Sequence, residues 1–264
     1  MLRFSANLGF LWLDLLLAER IRRAKAARFD AVEFHFPYDV PAEAVRAALT
    51  ETGLPAVGLN TRLGDRPGDA GLAALPGREA EARAAIDEAL AYAAAIGADY
   101  VHVVAGRVGG DEREEAREAF CASLAYAADK AKPAGITIVI EPLNRYDAPG
   151  RFLRTSEEAA ELIGALGRDD VKILFDCYHA QISEGDLTRR IEKLLPVIHH
   201  IQVAAVPSRR EPDEGEVAYD RLLPAIDAMG YRGFISAEYR PRATVEEGLG
   251  WMHALKKLAD GRAS

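Results

Sequence analysis

The sequence predicts an α/β chain folded as a (β/α)8 TIM barrel, and three observations lead there. Short apolar runs alternate with long amphipathic stretches from one end to the other. Eight such pairs in 264 residues average about 33 residues each, near the length of one βαβ repeat, and the whole has the usual size of a barrel. The first strand pattern is followed by "SANLGFLWLD", which lacks the glycine-rich phosphate turn that an open nucleotide-binding sheet would favour.

Strands are expected at "RFSANL" (3–8), "AVEFHF" (31–36), "AVGLN" (56–60) and "YVHVVA" (100–105). They continue with "ITIVIE" (136–141), "VKILFD" (171–176), "HHIQVA" (199–204) and "FISAEY" (234–239). Each is rich in β-branched or aromatic residues and precedes a helical pattern, the clearest over 78–97 and 111–135. Gly97, Gly135 and Gly230 fall just past helical runs, where a left-handed residue ends a helix. The stretch 155–166 opens on a hydroxyl residue with acids in its first turn, a helix start. Stretches 184–195 and 219–230 fit the same pattern, provided Pro224 lies within the first turn of its helix. Residues 61–77 form a long loop after the third strand, of a length often tied to function. No Pro/Gly/Ser-rich linker divides the chain, so one domain is expected over 1–264.

Composition narrows the class. With 49% hydrophobic and 28% charged residues, the chain can bury a core that needs no disulfides. Cys121 and Cys177 lack metal-type spacing and read as reduced thiols, which suits a cytoplasmic location. A net charge of −8 weighs against a nucleic-acid partner. The apolar run "LGFLWLDLLLAERIRR" is broken by Asp14 and passes directly into helical periodicity, so it is expected to be neither membrane span nor signal peptide. The expected partner is a small-molecule substrate, and a homo-oligomer is compatible with the sequence.

In a barrel, side chains that do chemistry sit at the C-terminal ends of the strands. The fifth strand ends in Glu141, the sixth in Asp176, the seventh carries Gln202 near its end, and the eighth ends in Glu238. Spacings of 35, 26 and 36 residues place one such group on each successive unit. Three carboxylates at one mouth cannot all stay ionised without a cation. An all-oxygen set suits a hard divalent ion, Mg²⁺ or Mn²⁺, whereas helix capping or surface ion pairs would account for such residues singly. His179, three residues past Asp176, is read as reaching the cavity from a loop or as structural. Arg209 and Arg210 follow the seventh strand, either as a carboxylate clamp or as solvated cations. Asn7, Glu33, His35 and Asn60 line the pocket or serve as hydrogen-bonded barrel residues.

Taken together, "RFSANL", "VEFHFPYD", "LPGREAE", "IEPLNRYDAPG", "DCYHAQ", "HHIQVAAVPSRREPDEGEVAYD" and "EYRP" resemble the hydroxypyruvate isomerase family over residues 1 to 255. That family belongs to the xylose-isomerase-like TIM barrels and includes 2-oxo-tetronate isomerases. The resemblance implies a divalent metal held by Glu141, Asp176, Gln202 and Glu238. It makes Glu141 and Glu238 the catalytic proton-transfer pair, with His179, Arg209, Asn7 and Arg107 binding substrate. Hydroxypyruvate, converted to tartronate semialdehyde through a cis-enediolate, is the expected substrate, with 2-oxo-tetronate or a free ketose as alternatives. The sequence departs from the family at Ala205, at Ser208 and at Arg107, where lysine is common, and these positions bear on substrate preference. Two other functions known on this barrel fit less well. An abasic-site endonuclease would need a histidine-rich metal cluster and a basic surface, and a ketose 3-epimerase would favour histidine at position 202. A non-catalytic barrel would be expected to have lost one of the four ligands.

Overall fold

The computed structural model describes residues 2–260. Eight strands form one parallel sheet: β1 (Phe4–Asn7), β2 (Ala31–Glu33), β3 (Gly58–Asn60), β4 (Tyr100–His102), β5 (Thr137–Ile140), β6 (Val171–Asp176), β7 (Ile198–Val203) and β8 (Ile235–Ala237). Hydrogen-bonded neighbours run β2-β1-β8-β7-β6-β5-β4-β3, so only the β2–β3 seam remains. A parallel bridge between Val32 and Ala56 spans it. Backbone bonds from Val57 N–H to the Val32 carbonyl (2.7 Å) and from Phe34 N–H to the Gly58 carbonyl (2.9 Å) continue it. The expected (β/α)8 barrel is therefore present, nearly closed.

Helices return the chain between strands: α1 (Leu17–Ala26), α2 (Ala42–Thr52), α3 (Glu79–Ile96), α4 (Arg113–Ala131), α5 (Ser156–Leu166), α6 (Cys177–Ser183), α7 (Leu187–Leu194), α8 (Tyr219–Ala228), α9 (Val245–Gly248) and α10 (Gly250–Asp260). Their apolar faces cover the outside of the sheet and form the main core with it. Gly97, Gly135 and Gly230 all take positive φ at helix or turn ends. Thr155 caps α5 by accepting the Glu158 N–H at 3.1 Å.

Two expectations need correction. Pro224 does not lie in the first turn, because α8 begins at Tyr219. Its ring removes one helical bond, and the carbonyl four residues back belongs to exposed Asp220, where water can take the place of the lost donor. Residues 177–183, read as loop, form α6. The carboxylate of Asp176 caps that helix and starts it directly at the end of β6.

Inside the barrel, Ala31, Val57, Tyr100, Val139 and Leu174 pack into a small second core. The Tyr100 ring lies so close to β3 that a Cβ at Gly58 would sit 2.1 Å from it. Only glycine fits there. Side chains alternate along a strand, so residues two positions further point the same way. Beyond Tyr100, Val139 and Leu174 come His102, Glu141 and Asp176; beyond His200 and Ser236 come Gln202 and Glu238. The apolar interior thus ends in a polar mouth.

Both cysteines are free. No helix among the described residues is long and apolar enough to cross a membrane.

Candidate active site

Asp176 and Gln202 face each other in register across β6 and β7. Oδ1 of Asp176 accepts the Tyr178 N–H at 2.8 Å, which leaves Oδ2 buried without a hydrogen-bond partner. Gln202 presents its Nε2 to two carboxylates, Glu33 Oε1 at 2.8 Å and Glu238 Oε1 at 3.3 Å. Ionised carboxylates only accept hydrogen bonds, so the amide is fixed with nitrogen towards them. Its Oε1 is consequently buried and unpartnered as well. Two orphaned oxygens on adjacent strands would be costly unless a cation or donor met them.

Glu238 follows β8 and is held from several sides. Its Oε1 accepts from Asn7 Nδ2 at 3.0 Å and pairs with His35 Nε2 at 2.9 Å. Oε2 accepts from Arg209 Nη2 at 2.9 Å. Burial alone would raise its pKa, but the His35 hydrogen bond and the Arg209 charge outweigh it and hold the carboxyl down to about 2.

Glu141 contrasts with it. This side chain, 9% exposed, has His102 Nδ1 at 3.6 Å and His179 Nε2 at 4.0 Å, both beyond hydrogen-bond range. Burial and the negative charges of Glu238 and Asp176 push its pKa well up. Burial and Glu238 likewise push Asp176 up to about 8. The two glutamates are driven in opposite directions, a pattern that separates acid from base in catalytic carboxylate pairs.

His179 lies on α6, not on a loop. Its Nδ1 accepts the backbone N–H of Asn144 at 3.1 Å. Burial, then the Arg209 charge, lowers its pKa to about 3, so the ring is neutral. A backbone N–H can only donate, so the ring proton sits on Nε2, which points at Asp176 Oδ2 3.6 Å away. His179 therefore offers a donor to the mouth. Its nitrogen and oxygens of Glu141 and Asp176 all lie within 4.8 Å of one another.

Arg209 takes a left-handed φ of 53°. Its guanidinium is sandwiched between the rings of Phe10 and Tyr178, 4.9 Å from each centroid. It reaches Glu238 and comes within 3.8 Å of Asp176 Oδ2. Arg210 is exposed and stays outside this group. Asn7 donates to Glu33 at 2.5 Å as well as to Glu238. Arg107 is not gathered in: its side chain is exposed, and it has no ion-pair partner among the described residues.

Glu33 and His35 join the site from β2 and the residues after it. Oε1 of Glu33 serves Asn7 and Gln202, while Oε2 takes the Tyr100 hydroxyl at 3.0 Å and His200 Nε2 at 2.6 Å. Asn60 reaches His102 Nδ1 through its Oδ1 at 3.2 Å. The sequence reading left out Tyr100, His102 and His200. Two pairs carried a signal that could have found them, since Tyr100/His102 and His200/Gln202 repeat the i, i+2 polar spacing of Glu33/His35.

The residues fit a hard divalent cation. Asp176 Oδ2 and Gln202 Oε1 lack donors, and no hydrogen bond reaches Glu141 among the described residues. Both oxygens of Glu238 are engaged by Asn7, His35, Gln202 and Arg209, whereas Glu141, Asp176 and His179 converge within 4.8 Å. The free oxygens of Asp176 and Gln202 are of the kind Mg²⁺ or Mn²⁺ takes.

Comparison with known proteins agrees with this architecture. The chain is 44% identical over 252 residues to a 2-oxo-tetronate isomerase of Cupriavidus necator, covering 95% of this chain and 97% of that one. It is 37% identical to the hydroxypyruvate isomerase of Escherichia coli K12, covering 96% and 98%. A solved structure from Brucella melitensis, described as an AP endonuclease of family 2, aligns with a TM-score of 0.94 at 42% identity, covering 96% and 99%. Residues 21–255 match the model of a family described as xylose isomerase-like TIM barrels, and the chain belongs to that family.

Proposed function

We propose that this protein is a metal-assisted aldose–ketose isomerase acting on a short 2-oxo acid with a neighbouring hydroxyl group. The observation that carries the reading is the pair of buried glutamates, Glu141 and Glu238, driven in opposite pKa directions at the mouth that also holds the two orphaned oxygens. The likeness to enzymes named 2-oxo-tetronate isomerase and hydroxypyruvate isomerase supports the substrate class. Relatives of the two names overlap in identity, 39–44% against 37–39%, so the proposed class takes in both hydroxypyruvate, the substrate expected from the sequence, and the four-carbon 2-oxo-tetronate.

Glu141, Asp176, Gln202 and Glu238 would hold the cation. When bound, Mg²⁺ or Mn²⁺ would polarise the substrate's carbonyl and stabilise negative charge on its oxygens. Glu141, whose carboxylate accepts no hydrogen bond among the described residues, removes the proton from the carbon beside the carbonyl in its ionised form. The electron pair left behind forms the C=C of a cis-enediolate. Return of a proton to the adjacent carbon from a carboxyl of the Glu141–Glu238 pair, with one hydroxyl proton passing between the two oxygens, completes the isomerisation. Glu238, fixed by Asn7, His35, Gln202 and Arg209, is the second member of the proposed proton-transfer pair. The Nε2–H of His179 supplies a hydrogen bond to a substrate oxygen.

The relative described as an AP endonuclease raises DNA as a substrate. A net charge of −8 and, among the described residues, a single metal-capable group of acids and histidine favour the small molecule.

The test is loss of the substrate's α-proton into D₂O, followed by NMR, with 2-oxo-tetronate, hydroxypyruvate and an uncharged ketose. Exchange with the acids in the presence of Mn²⁺ is expected. No exchange with either acid would overturn the reading, and full activity after exhaustive chelation would remove the metal from it.

A further inference from the structure

We infer that Arg151 is the anchor for the substrate's carboxylate; the assignment rests on the 2-oxo acid reading above. Arg151 lies on the loop that follows Glu141. Its backbone forms an antiparallel bridge with Arg107, on the loop after β4. The Val108 N–H donates to the Gly150 carbonyl at 2.9 Å and the Phe152 N–H to the Gly106 carbonyl at 3.0 Å, so the two loops are laced together on either side of that pair.

A third loop closes the arrangement. Gly71, at φ 116°, presses so tightly on the end of β4 that a Cβ there would lie 2.6 Å from the Val104 carbonyl oxygen and 2.7 Å from the Gly106 nitrogen. The preceding residue, Ala70, offers its carbonyl to Nη1 of Arg151. The guanidinium is thereby held at the rim where the loops after β3, β4 and β5 meet.

What it lacks is a counter-ion. Nε of Arg151 is buried without a partner, and no carboxylate among the described residues lies in ion-pair range. Comparable half-buried arginines are paired: Arg78 with Asp69 at 2.5 Å, Arg190 with Glu184 at 2.9 Å. A desolvated cation is stable only if some anion meets it. Arg209 also has an unpartnered Nε, but its charge is already met by Glu238, which Nη2 reaches at 2.9 Å. The charge of Arg151 is felt at the mouth: it contributes to depressing both His102 and His179, and Glu141 acts on it in return. One arginine orders a catalytic carboxylate while the other waits for the carboxylate that comes with the substrate.

Equilibrium binding of three small probes to the Mn²⁺-loaded full chain tests this. Glycerate supplies the carboxylate, dihydroxyacetone an uncharged analogue, and dihydroxyacetone phosphate the competing anion. Arg151→Gln is expected to weaken glycerate about 10- to 100-fold, the range for loss of a charge-assisted hydrogen bond. Dihydroxyacetone binding should stay within about twofold, and Arg151→Lys should recover part of the glycerate affinity. Glycerate bound equally by wild type and Arg151→Gln would overturn the assignment. Equal loss of dihydroxyacetone would reassign Arg151 to a structural role, and Arg151-dependent binding of the phosphate ester above glycerate would replace the carboxylate by a phosphate. If glycerate binding depends on Arg151 but wild type exchanges no α-proton of any 2-oxo acid, the anion site stands and the proposed reaction falls.

Discussion

The amide of Gln202 shows how one side chain can be turned into a ligand by its neighbours. Glu33 and Glu238 both require a donor, so they take Nε2 and leave Oε1 pointing at the mouth beside Asp176 Oδ2. The glutamates themselves carry the first prediction. Glu141→Gln and Glu238→Gln should each slow α-proton exchange by about a thousandfold, within the range for loss of a general acid or base, with circular dichroism unchanged. Retained exchange in either variant would remove that residue from proton transfer. The second prediction follows from the state of Asp176 without metal. Burial and Glu238 raise it to about 8, so below that pH it holds a proton that a divalent cation must displace. Mn²⁺ affinity should therefore rise with pH through about 8, close to tenfold per pH unit for each proton released. Equilibrium dialysis at pH values on both sides of 8 measures it, and a flat profile would show that the carboxylates are already ionised.

At the scale of elements, β2 is three residues long, yet its Glu33 ties the barrel together across the interior. It accepts from Asn7 on β1, Tyr100 on β4, and His200 and Gln202 on β7. Glu33→Gln would set an NH₂ group against one of those donors and should cost about 3 kcal/mol of stability by urea unfolding. A loss below about 1 kcal/mol would mean the network repacks freely. The same element marks what could be read from sequence. Strands such as "ITIVIE" were legible because local β-branched runs and helical periodicity are short-range signals. The four successive strand-end groups were legible because one acid or amide per unit needs only a count along the chain. The ties through Glu33 were not, because His200 is 167 residues away and meets it only once the barrel has curled. Nor was α6 foreseen: its start depends on Asp176 acting as both mouth residue and helix cap. Arg151 escaped notice because loop conformation, not periodicity, brings it beside Arg107.

For the whole molecule, the consequence of this placement is that the proposed ligand oxygens belong to four consecutive strands, β5 through β8, or the residues just after them. Asn7 on β1 and Glu33 on β2 are bonded to two of those ligands, so the connected arc runs around six of the eight strands. Unfolding scatters the set, and a cation that binds only the assembled mouth must stabilise the entire barrel. At a free Mn²⁺ concentration of about 100 times its dissociation constant, the unfolding free energy should rise by about 2.7 kcal/mol. For a chain of this size, where each kcal/mol is worth about 2 °C, that corresponds to roughly 5 °C in melting temperature. Calorimetry in Mn²⁺ and in excess chelator measures the difference. Asp176→Asn should abolish it, because the variant lacks the charge that faces the orphaned position. Arg107→Gln, whose side chain lies outside the ligand set, should keep it in full. Equal melting temperatures for the wild-type protein with and without Mn²⁺ would mean that the orphaned oxygens are met by something other than a divalent ion.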